Sequence, residues 1–180
     1  SRRVTLTPDL EPLIELIFDQ MQRMIPYESA AIALAEDGML ATVATRRGSL
    51  GASNPTPLGN RFSIDSPMPG WNALMTGTTV YTPNVHGDDE VAQTFRWRVG
   101  EQIHTVFAHV VSFIATPLMV KNELLGVMFI SSSQEDRYTQ HDLDLARATA
   151  NQVAVAIQNT RLHGQSREVA GRQERHRLGR

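Results

Sequence analysis

Two long apolar segments separated by only three polar residues place the strongest constraint on the fold. Residues 110–120 and 124–131 are rich in β-branched and large apolar side chains, and Lys121, Asn122 and Glu123 separate them. A connection this short joins antiparallel strands, because parallel strands need a crossover of a dozen residues or more. The two segments are therefore predicted to be neighbouring antiparallel strands of a sheet.

A long amphipathic helix is predicted after the second of these strands. Thr139 and Asp142 have the spacing of an N-terminal capping box. Apolar residues then recur every three or four positions, at Leu143, Ala146, Ala150, Val153 and Ile157. The alanines in this stripe allow a close approach, so the stripe is expected to form a dimer and signalling contact or to pack on the domain's own sheet. Both alternatives stay open.

Shorter periodic segments predict the remaining elements. The first helix has Thr7 as its N-cap and ends at Pro26. Two strands, residues 29–35 and 39–45, follow around an Asp-Gly turn. After them come a loop (46–60), a strand (62–64), a helix (65–77), a strand (78–81) and a helix (88–99). The fold class is α+β, with an antiparallel sheet of five to six strands. The terminal helices are expected on one face, and loops and short helices on the other.

The composition excludes several classes of function. The chain has no cysteine, which excludes disulfides, cysteine-ligated metals and thioether-linked chromophores. A net charge of -2 gives no general case for nucleic-acid binding, although residues 161–180 carry six arginines and two glutamates. A solvated helix is favoured over a DNA contact there. No apolar run is long enough for a membrane span and no signal peptide is visible, so a cytoplasmic location is expected.

Catalytic and metal-binding signatures are also missing from the sequence. It contains no nucleophile elbow, phosphate-binding loop or His-Glu-x-x-His pair. His86 stands beside Asp88, Asp89 and Glu90, but acidic residues are favoured at a helix start, and this spacing is not that of metal ligands. We expect neither an enzyme nor a metal site in this fragment.

Two blocks of the sequence resemble a GAF domain. Residues 66–85, SPMPGWNALMTGTTVYTPNV, are similar to the middle of that family; residues 112–162 are similar to its paired central strands and closing helix, which ends in Ala-Ile-x-Asn-x-Arg-Leu. Residues 173–180 resemble the approach to the phosphoacceptor histidine in histidine kinases that are paired with LuxR-type regulators. The chain begins at Ser1 without a methionine, so it is expected to be a fragment.

The resemblance implies an organisation and a function. Residues 1–8 would be an N-terminal lead, residues 9–162 a sensor domain, and residues 163–180 a helical linker toward a kinase domain in the same chain. The glycines of this linker predict a loss of order after about Gly164. The sensor would bind a small ligand beside the sheet, signal through its C-terminal helix and form a homodimer. The alternative is a dimerisation scaffold that binds no ligand, with its pocket filled by side chains such as Trp71 and Phe95.

The resemblance also suggests where a ligand would bind. The pocket candidates are Phe62, Trp71, Met75, Tyr81, Asn84, Phe95, His109 and Phe113, although for each aromatic taken alone a plain core role is favoured over a ligand contact. A haem-binding branch of the family uses a histidine where this sequence has Val111, with His109 two residues earlier, so haem stays open but is disfavoured. The ligand is not identified from the sequence.

Overall fold

An antiparallel sheet of six strands forms the centre of the computed structural model. The structure describes residues 6–48, 57–65 and 69–178, with side chains up to residue 162 apart from that of Pro69. The strands are β1 (Ser29–Glu36), β2 (Met39–Arg47), β3 (Arg61–Ser63), β4 (Val80–Thr82), β5 (Ser112–Val120) and β6 (Glu123–Ser132). Their order across the sheet is β3-β2-β1-β6-β5-β4, and every pairing among the described strands is antiparallel. The predicted fold class is confirmed.

Four α-helices and one short 3₁₀ helix accompany the sheet in the described residues. They are α1 (Glu11–Met24), α2 (Pro69–Met75), α3 (Glu90–Val99), the 3₁₀ helix Gly100–His104 and α4 (Gln140–Leu178). The capping box of α4 forms as predicted: the Thr139 amide donates to the Asp142 carboxylate at 2.9 Å, and the Asp142 amide donates to the Thr139 hydroxyl at 3.3 Å. No helix in the described ranges is long and apolar enough to cross a membrane.

Two tight turns connect the long strand pairs. Lys121 and Asn122 join β5 to β6 with φ values of 50° and 65°. Asp37 and Gly38 join β1 to β2 with φ values of 52° and 74°. Positive φ at both central residues matches the twist of the strands, which is why Asn and Asp-Gly are favoured in such turns. Both hairpins that the sequence predicted are present.

The sheet separates two hydrophobic layers. On one face, α1 and α4 pack over residues such as Ile32 and Met128. On the other face lie α2, α3 and the segment after α3, with Leu74, Phe95 and Phe107 among the buried side chains. The terminal helices thus share one face, as expected, and the candidate pocket belongs to the other.

The predicted dimer stripe of α4 faces the domain's own core. Ala146, Ala150 and Val153 are 0% exposed, Ile157 is 2% exposed, and Leu143 packs against the same cluster. Side chains this deeply enclosed cannot form a surface for a second protomer. Of the two alternatives for this stripe, packing on the domain's own sheet is the one observed.

Two helix boundaries differ from the sequence-based expectation. The first helix begins at Glu11 rather than after Thr7, although the Thr7 carbonyl already accepts hydrogen bonds from the amides of Leu10 and Glu11 at 3.0 and 3.3 Å. The last helix continues to Leu178, so the backbone of the predicted linker is helical through Gly164 and Gly171. One glycine costs about 1 kcal/mol relative to alanine, and the neighbouring Gln, Glu and Arg are good helix formers.

Parts of some predictions lie outside the described residues. These parts are residues 1–5 of the lead, residues 49–56 of the long loop, Ser66 and Pro67 at the predicted helix start, and residues 179–180. The side chains of residues 173–180, which resemble the approach to a phosphoacceptor histidine, also lie outside the described part.

Candidate ligand-binding site

Small side chains on one face of β1 leave room above the centre of the sheet. Ser29 and Ala31 point to the same face, because side chains alternate along a strand, while Ile32 points to the opposite core. The neighbouring strands carry Phe113 and Phe129 on the cavity face. Large rings beside small side chains give a hollow with aromatic walls.

Helix α3 covers this hollow. Its first turn is held by Asp89, whose carboxylate accepts hydrogen bonds from the Ala92 amide and the Thr82 hydroxyl, both at 2.9 Å. Phe95, Arg98 and Val99 then lie on the helix face that looks toward the sheet, at the three- and four-residue spacing of one helix side. The N-cap and the helical period together orient the roof of the hollow.

The result is a partly open hollow that we name the aromatic cavity. Its volume is ≈ 50 Å³, measured as the space that the centres of water molecules can occupy. Its lining residues come from the sheet, α2, α3 and the following segment: Ser29, Ala31, Thr42, Phe62, Trp71, Phe95, Arg98, Val99, Phe107, Val110, Phe113, Phe129 and Ser131. One water needs roughly 10–15 Å³ on this measure, so the cavity has room for a few waters.

Contacts between rings order the walls of the aromatic cavity. The ring centre of Phe95 lies 5.1 Å from that of Phe113 and 5.5 Å from that of Phe107. Trp71 and Phe129 are 6.4 Å apart between centres, and their planes are inclined at 53°. Tilted and edge-on arrangements at these distances stabilise aromatic clusters. A ligand would therefore meet a largely preformed apolar surface.

A chain of hydroxyl and imidazole groups forms one polar part of the cavity wall. The Ser29 and Ser131 hydroxyl oxygens are 2.5 Å apart, and His109 Nε2 lies 3.0 Å from the Ser29 oxygen. Burial lowers the pKa of His109 from its ordinary 6.5, and the negative charge of Glu28 opposes this only in part. His109 is therefore mostly neutral at pH 7.

Arg98 supplies a second polar group on the opposite wall. Its guanidinium carbon is 5.4 Å from the ring centre of Trp71 and 5.6 Å from that of Trp97, and its Nη1 donates to the Ser63 carbonyl. Burial lowers the pKa of Arg98, which nevertheless stays charged at neutral pH. A cation held between two indole rings keeps a defined position at the cavity.

Comparison with known families identifies the family to which this fold belongs. The family model described as "GAF domain" matches residues 9–157, most of the chain. The chain belongs to the GAF domain family. No curated protein sequence matches this GAF domain significantly.

Solved structures agree with this fold. The GAF domain of a two-component sensor histidine kinase from Bacillus halodurans is 18% identical, with 86% of this chain and 97% of that chain covered and a TM-score of 0.64. A methyl-accepting chemotaxis protein, residues 122 to 287, is 20% identical, with 87% and 93% covered and a TM-score of 0.67. A type II free methionine-R-sulfoxide reductase from Thermoplasma acidophilum is 13% identical, with 83% and 93% covered and a TM-score of 0.60. At these identities the likeness concerns the fold alone.

The structure brings five of the eight predicted pocket residues together around the aromatic cavity. Four line it directly, namely Phe62, Trp71, Phe95 and Phe113, and His109 reaches it through Ser29. The other three do not line it. Met75 packs in the same core layer as the cavity. Tyr81 lies on the opposite face against Tyr138, and its hydroxyl donates to Asp136. The Asn84 side chain accepts a hydrogen bond from the His86 amide in a turn.

Sequence reasoning missed the small and polar residues of the cavity. Ser29, Ala31, Thr42 and Ser131 do not look like ligand contacts one by one. A signal was nevertheless present in β1, where every second residue from Ser29 to Ala35 is a serine or an alanine, while Ile32 and Leu34 lie on the other face. A strand with one face of small residues leaves space on that side unless the facing element fills it.

The aromatic cavity does not fit a haem. A porphyrin is far larger than a space for a few waters, and His109 Nε2 is already hydrogen-bonded to Ser29. In the part of the chain that the structure describes, no group of three histidine or acidic side chains is arranged to hold a metal ion. Asp89, from the acidic run near His86, serves as the N-cap of α3.

The pair formed by Ser29 and His109 raises the question of catalysis, because a serine beside an imidazole can act as a nucleophile. No pattern in the sequence indicates this pair, whose members are 80 residues apart. Among the described residues, no carboxylate accepts a hydrogen bond from His109 to orient it, and the Ser29 hydroxyl is also hydrogen-bonded to Ser131. The arrangement is better suited to binding a polar group of a ligand than to attacking one.

Proposed function

We propose that this GAF domain is the cytoplasmic sensory domain of a histidine kinase, that it binds a small molecule in the aromatic cavity, and that it has no catalytic activity of its own. The observation that carries this proposal is the cavity itself: Trp71 and Phe95 line it but leave ≈ 50 Å³ open. A scaffold that binds nothing is expected to fill this space, because voids between close-packed side chains cost stability.

The two central strands offer a route from the cavity to the signalling helix. In β5 and β6, Phe113 and Phe129 face the cavity, while Ile114, Met128 and Ile130 belong to the core layer that α4 covers. A ligand that binds one arrangement of these strands better than another would shift the packing of α4. The continuous helix to Leu178 would carry this shift toward a kinase domain that follows in the same chain.

Native mass spectrometry and an absorbance spectrum of the freshly purified domain, followed by a thermal-shift screen of metabolites, test ligand binding. A bound mass, or a metabolite that raises the melting temperature, is the expected result. The matched variant Ala31→Val, which fills the cavity, should lose that shift, while Ala30→Val on the other face of β1 should keep it. A ligand shift equal in both variants, or no ligand in a broad screen, would contradict the proposal.

A homodimer is the second part of the proposal, and the exposed faces of the terminal helices support it. Leu16 in α1 is 54% exposed and Val155 and Leu162 in α4 are 54% and 53% exposed. These residues lie outside the buried stripe of α4. Exposed apolar side chains on adjacent helices are typical of a surface that a second protomer covers.

Light scattering after size exclusion tests the dimer. The double variant Leu16→Glu, Val155→Glu should run as a monomer. Leu58→Glu, at a loop residue that is 56% exposed, is the matched control and should not change the mass. Weak dimers have dissociation constants on the order of 100 µM or less. If the wild type is a monomer at about this concentration, this part of the proposal is excluded.

A further inference from the structure

The short edge strand β4 contacts the roof of the aromatic cavity on one face and the segment before α4 on the other. Val80 and Thr82 point toward the layer that contains α2 and α3, whereas Tyr81 packs in the layer that α1 and α4 cover. Side chains alternate along a strand, so neighbouring residues of β4 contact opposite layers of the domain. A displacement of this strand therefore changes contacts on both faces of the sheet.

On the roof side, β4 is joined to the first turn of α3. The buried Thr82 hydroxyl donates to the Asp89 carboxylate, the N-cap of that helix, at 2.9 Å. The segment that connects β4 to α3 is braced by Arg96, whose Nη1 donates to the carbonyl oxygens of Val85 and Gly87 at 2.6 and 2.7 Å. Because these contacts fix the segment to the helix, we expect β4 and α3 to move together.

On the other side, β4 and the residue after it hold Asp136, which lies in the turn between β6 and α4. The Tyr81 hydroxyl donates to the Asp136 carboxylate at 2.8 Å, and the Asp136 amide donates to the Pro83 carbonyl at 2.9 Å. We name this pair of hydrogen bonds the β4 latch. Burial, together with the bond to Asp136, raises the pKa of Tyr81 to about 12, so the hydroxyl remains a donor at neutral pH.

The β4 latch holds the backbone in an uncommon conformation. Asp136 has a φ of 48°, in the left-handed region, which is unfavourable for residues with a side chain although Asp tolerates it better than most. Such a conformation persists where surrounding contacts fix it. Three residues later Thr139 caps α4, and its carbonyl accepts from the Leu143 amide at 3.1 Å. Loss of the latch therefore relaxes the backbone directly before the first turn of α4.

We propose that the β4 latch is a regulatory device that couples the roof of the aromatic cavity to the first turn of α4. A movement of α3 over the cavity displaces β4 through the contact between Thr82 and Asp89, and the latch transmits this displacement to the start of α4. The inference rests on the sensory function proposed above and adds a second route beside that through β5 and β6. Tyr81 and Asp136 are positioning residues, since neither lines the cavity.

Amide hydrogen exchange of the purified domain, followed by NMR with no ligand added, tests the latch. The probe is the Leu143 amide in the first turn of α4. Tyr81→Phe removes the donor of the latch and should speed this exchange by about two- to ten-fold, the factor that corresponds to one hydrogen bond. Tyr138→Phe is the matched control and should leave the rate unchanged, because the buried Tyr138 hydroxyl has no hydrogen-bond partner among the described residues.

A second substitution at the roof measures the coupling itself. Asp89→Ala frees Thr82 and the first turn of α3, and it should speed Leu143 exchange by about three-fold or more in the wild type and in Tyr138→Phe. In Tyr81→Phe the same substitution should change the rate by less than about two-fold, the limit for independent sites, because the connection is already broken. Thr82→Val, which keeps the Asp89 cap, replaces Asp89→Ala if that variant does not fold.

Three results would overturn the inference. They are an equal effect of Tyr81→Phe and Tyr138→Phe on Leu143, an equal effect of Asp89→Ala with and without Tyr81, and an equal change at the amide of Ala150, about three turns into α4, which would indicate a general loss of stability. None of these measurements needs a ligand. Failure of the latch therefore leaves ligand binding in the aromatic cavity untouched, whereas a metabolite screen that yields no ligand removes the sensory function whatever the latch shows.

Discussion

Replacement by valine should change the free energy of unfolding in opposite directions at two neighbouring alanines of β1. Ala31 lines the aromatic cavity, whereas Ala30 lies in the core layer between the sheet and the terminal helices. Valine adds two carbons, and burial of a methylene contributes about 0.8 kcal/mol. After roughly 0.5 kcal/mol for the restricted side chain, Ala31→Val should raise the free energy of unfolding by about 1 kcal/mol.

The same change at Ala30 meets a filled core. Ala30 is 2% exposed and belongs to the cluster that α1 and α4 cover. Overpacking of such a core costs typically about 1–3 kcal/mol, so Ala30→Val should lower the free energy of unfolding. Urea denaturation followed by circular dichroism measures both variants against the wild type.

The two variants are controls for each other, because they share a strand, a residue type and an added volume. A gain of about 1 kcal/mol corresponds to a rise of about 2–4 °C in melting temperature for a domain of this length. Equal destabilisation in both variants would refute the reasoning, because it would mean that the cavity is filled in solution.

Three further changes test the framework around the site. Asp89→Ala removes the N-cap of α3 and an acceptor for Thr82, and urea denaturation should show a loss of about 1–2 kcal/mol. Gly126→Ala would put a Cβ 2.2 Å from the Ala33 carbonyl oxygen. The free energy of unfolding should fall by about 1–3 kcal/mol, as for an overpacked core, and a lower melting temperature would show this. Below pH 6.5 the wild type should lose stability, because His109 takes up a proton more readily in the unfolded chain than in the folded domain, where burial lowers its pKa. The free energy of unfolding should fall by at most about 1.4 kcal/mol per pH unit from this group, and His109→Gln should remove that contribution.

Each of these predictions has an outcome that would contradict it. Asp89→Asn retains a side-chain acceptor, so a loss as large as that of Asp89→Ala would contradict the capping argument. A Gly126→Ala variant as stable as the wild type would mean that the strands do not approach so closely. His104→Gln removes an exposed histidine, and if it flattened the pH profile as much as His109→Gln did, burial of His109 would not be the cause.

The candidate site was only partly predictable from the sequence. The aromatic residues on α2, α3 and β5 stood out because large rings near loops are common in pockets. Tyr81 was indistinguishable from them in the sequence, yet its place on the edge strand β4 turns its ring toward Tyr138 and away from the cavity. Which face a strand presents to a pocket depends on its register with a partner far away in the chain.

The α4 stripe illustrates the same limit. Alanines at helical spacing fit a dimer contact and a sheet contact equally well, and only the position of α4 over the sheet decides between them. With Ala146 and Ala150 fully buried, any dimer contact has to use other faces of the terminal helices, where Leu16 and Val155 are exposed.

By itself the sequence determined the elements, their antiparallel pairing and the start of α4, since short turns, capping residues and apolar periods act over a few neighbouring residues. Only the tertiary structure decided that Ser29, Ser131 and His109 meet, and that Arg98 faces them across the cavity. These groups are brought together by strand register and helix docking, which depend on contacts between segments as much as 102 residues apart. No local pattern encodes such a meeting.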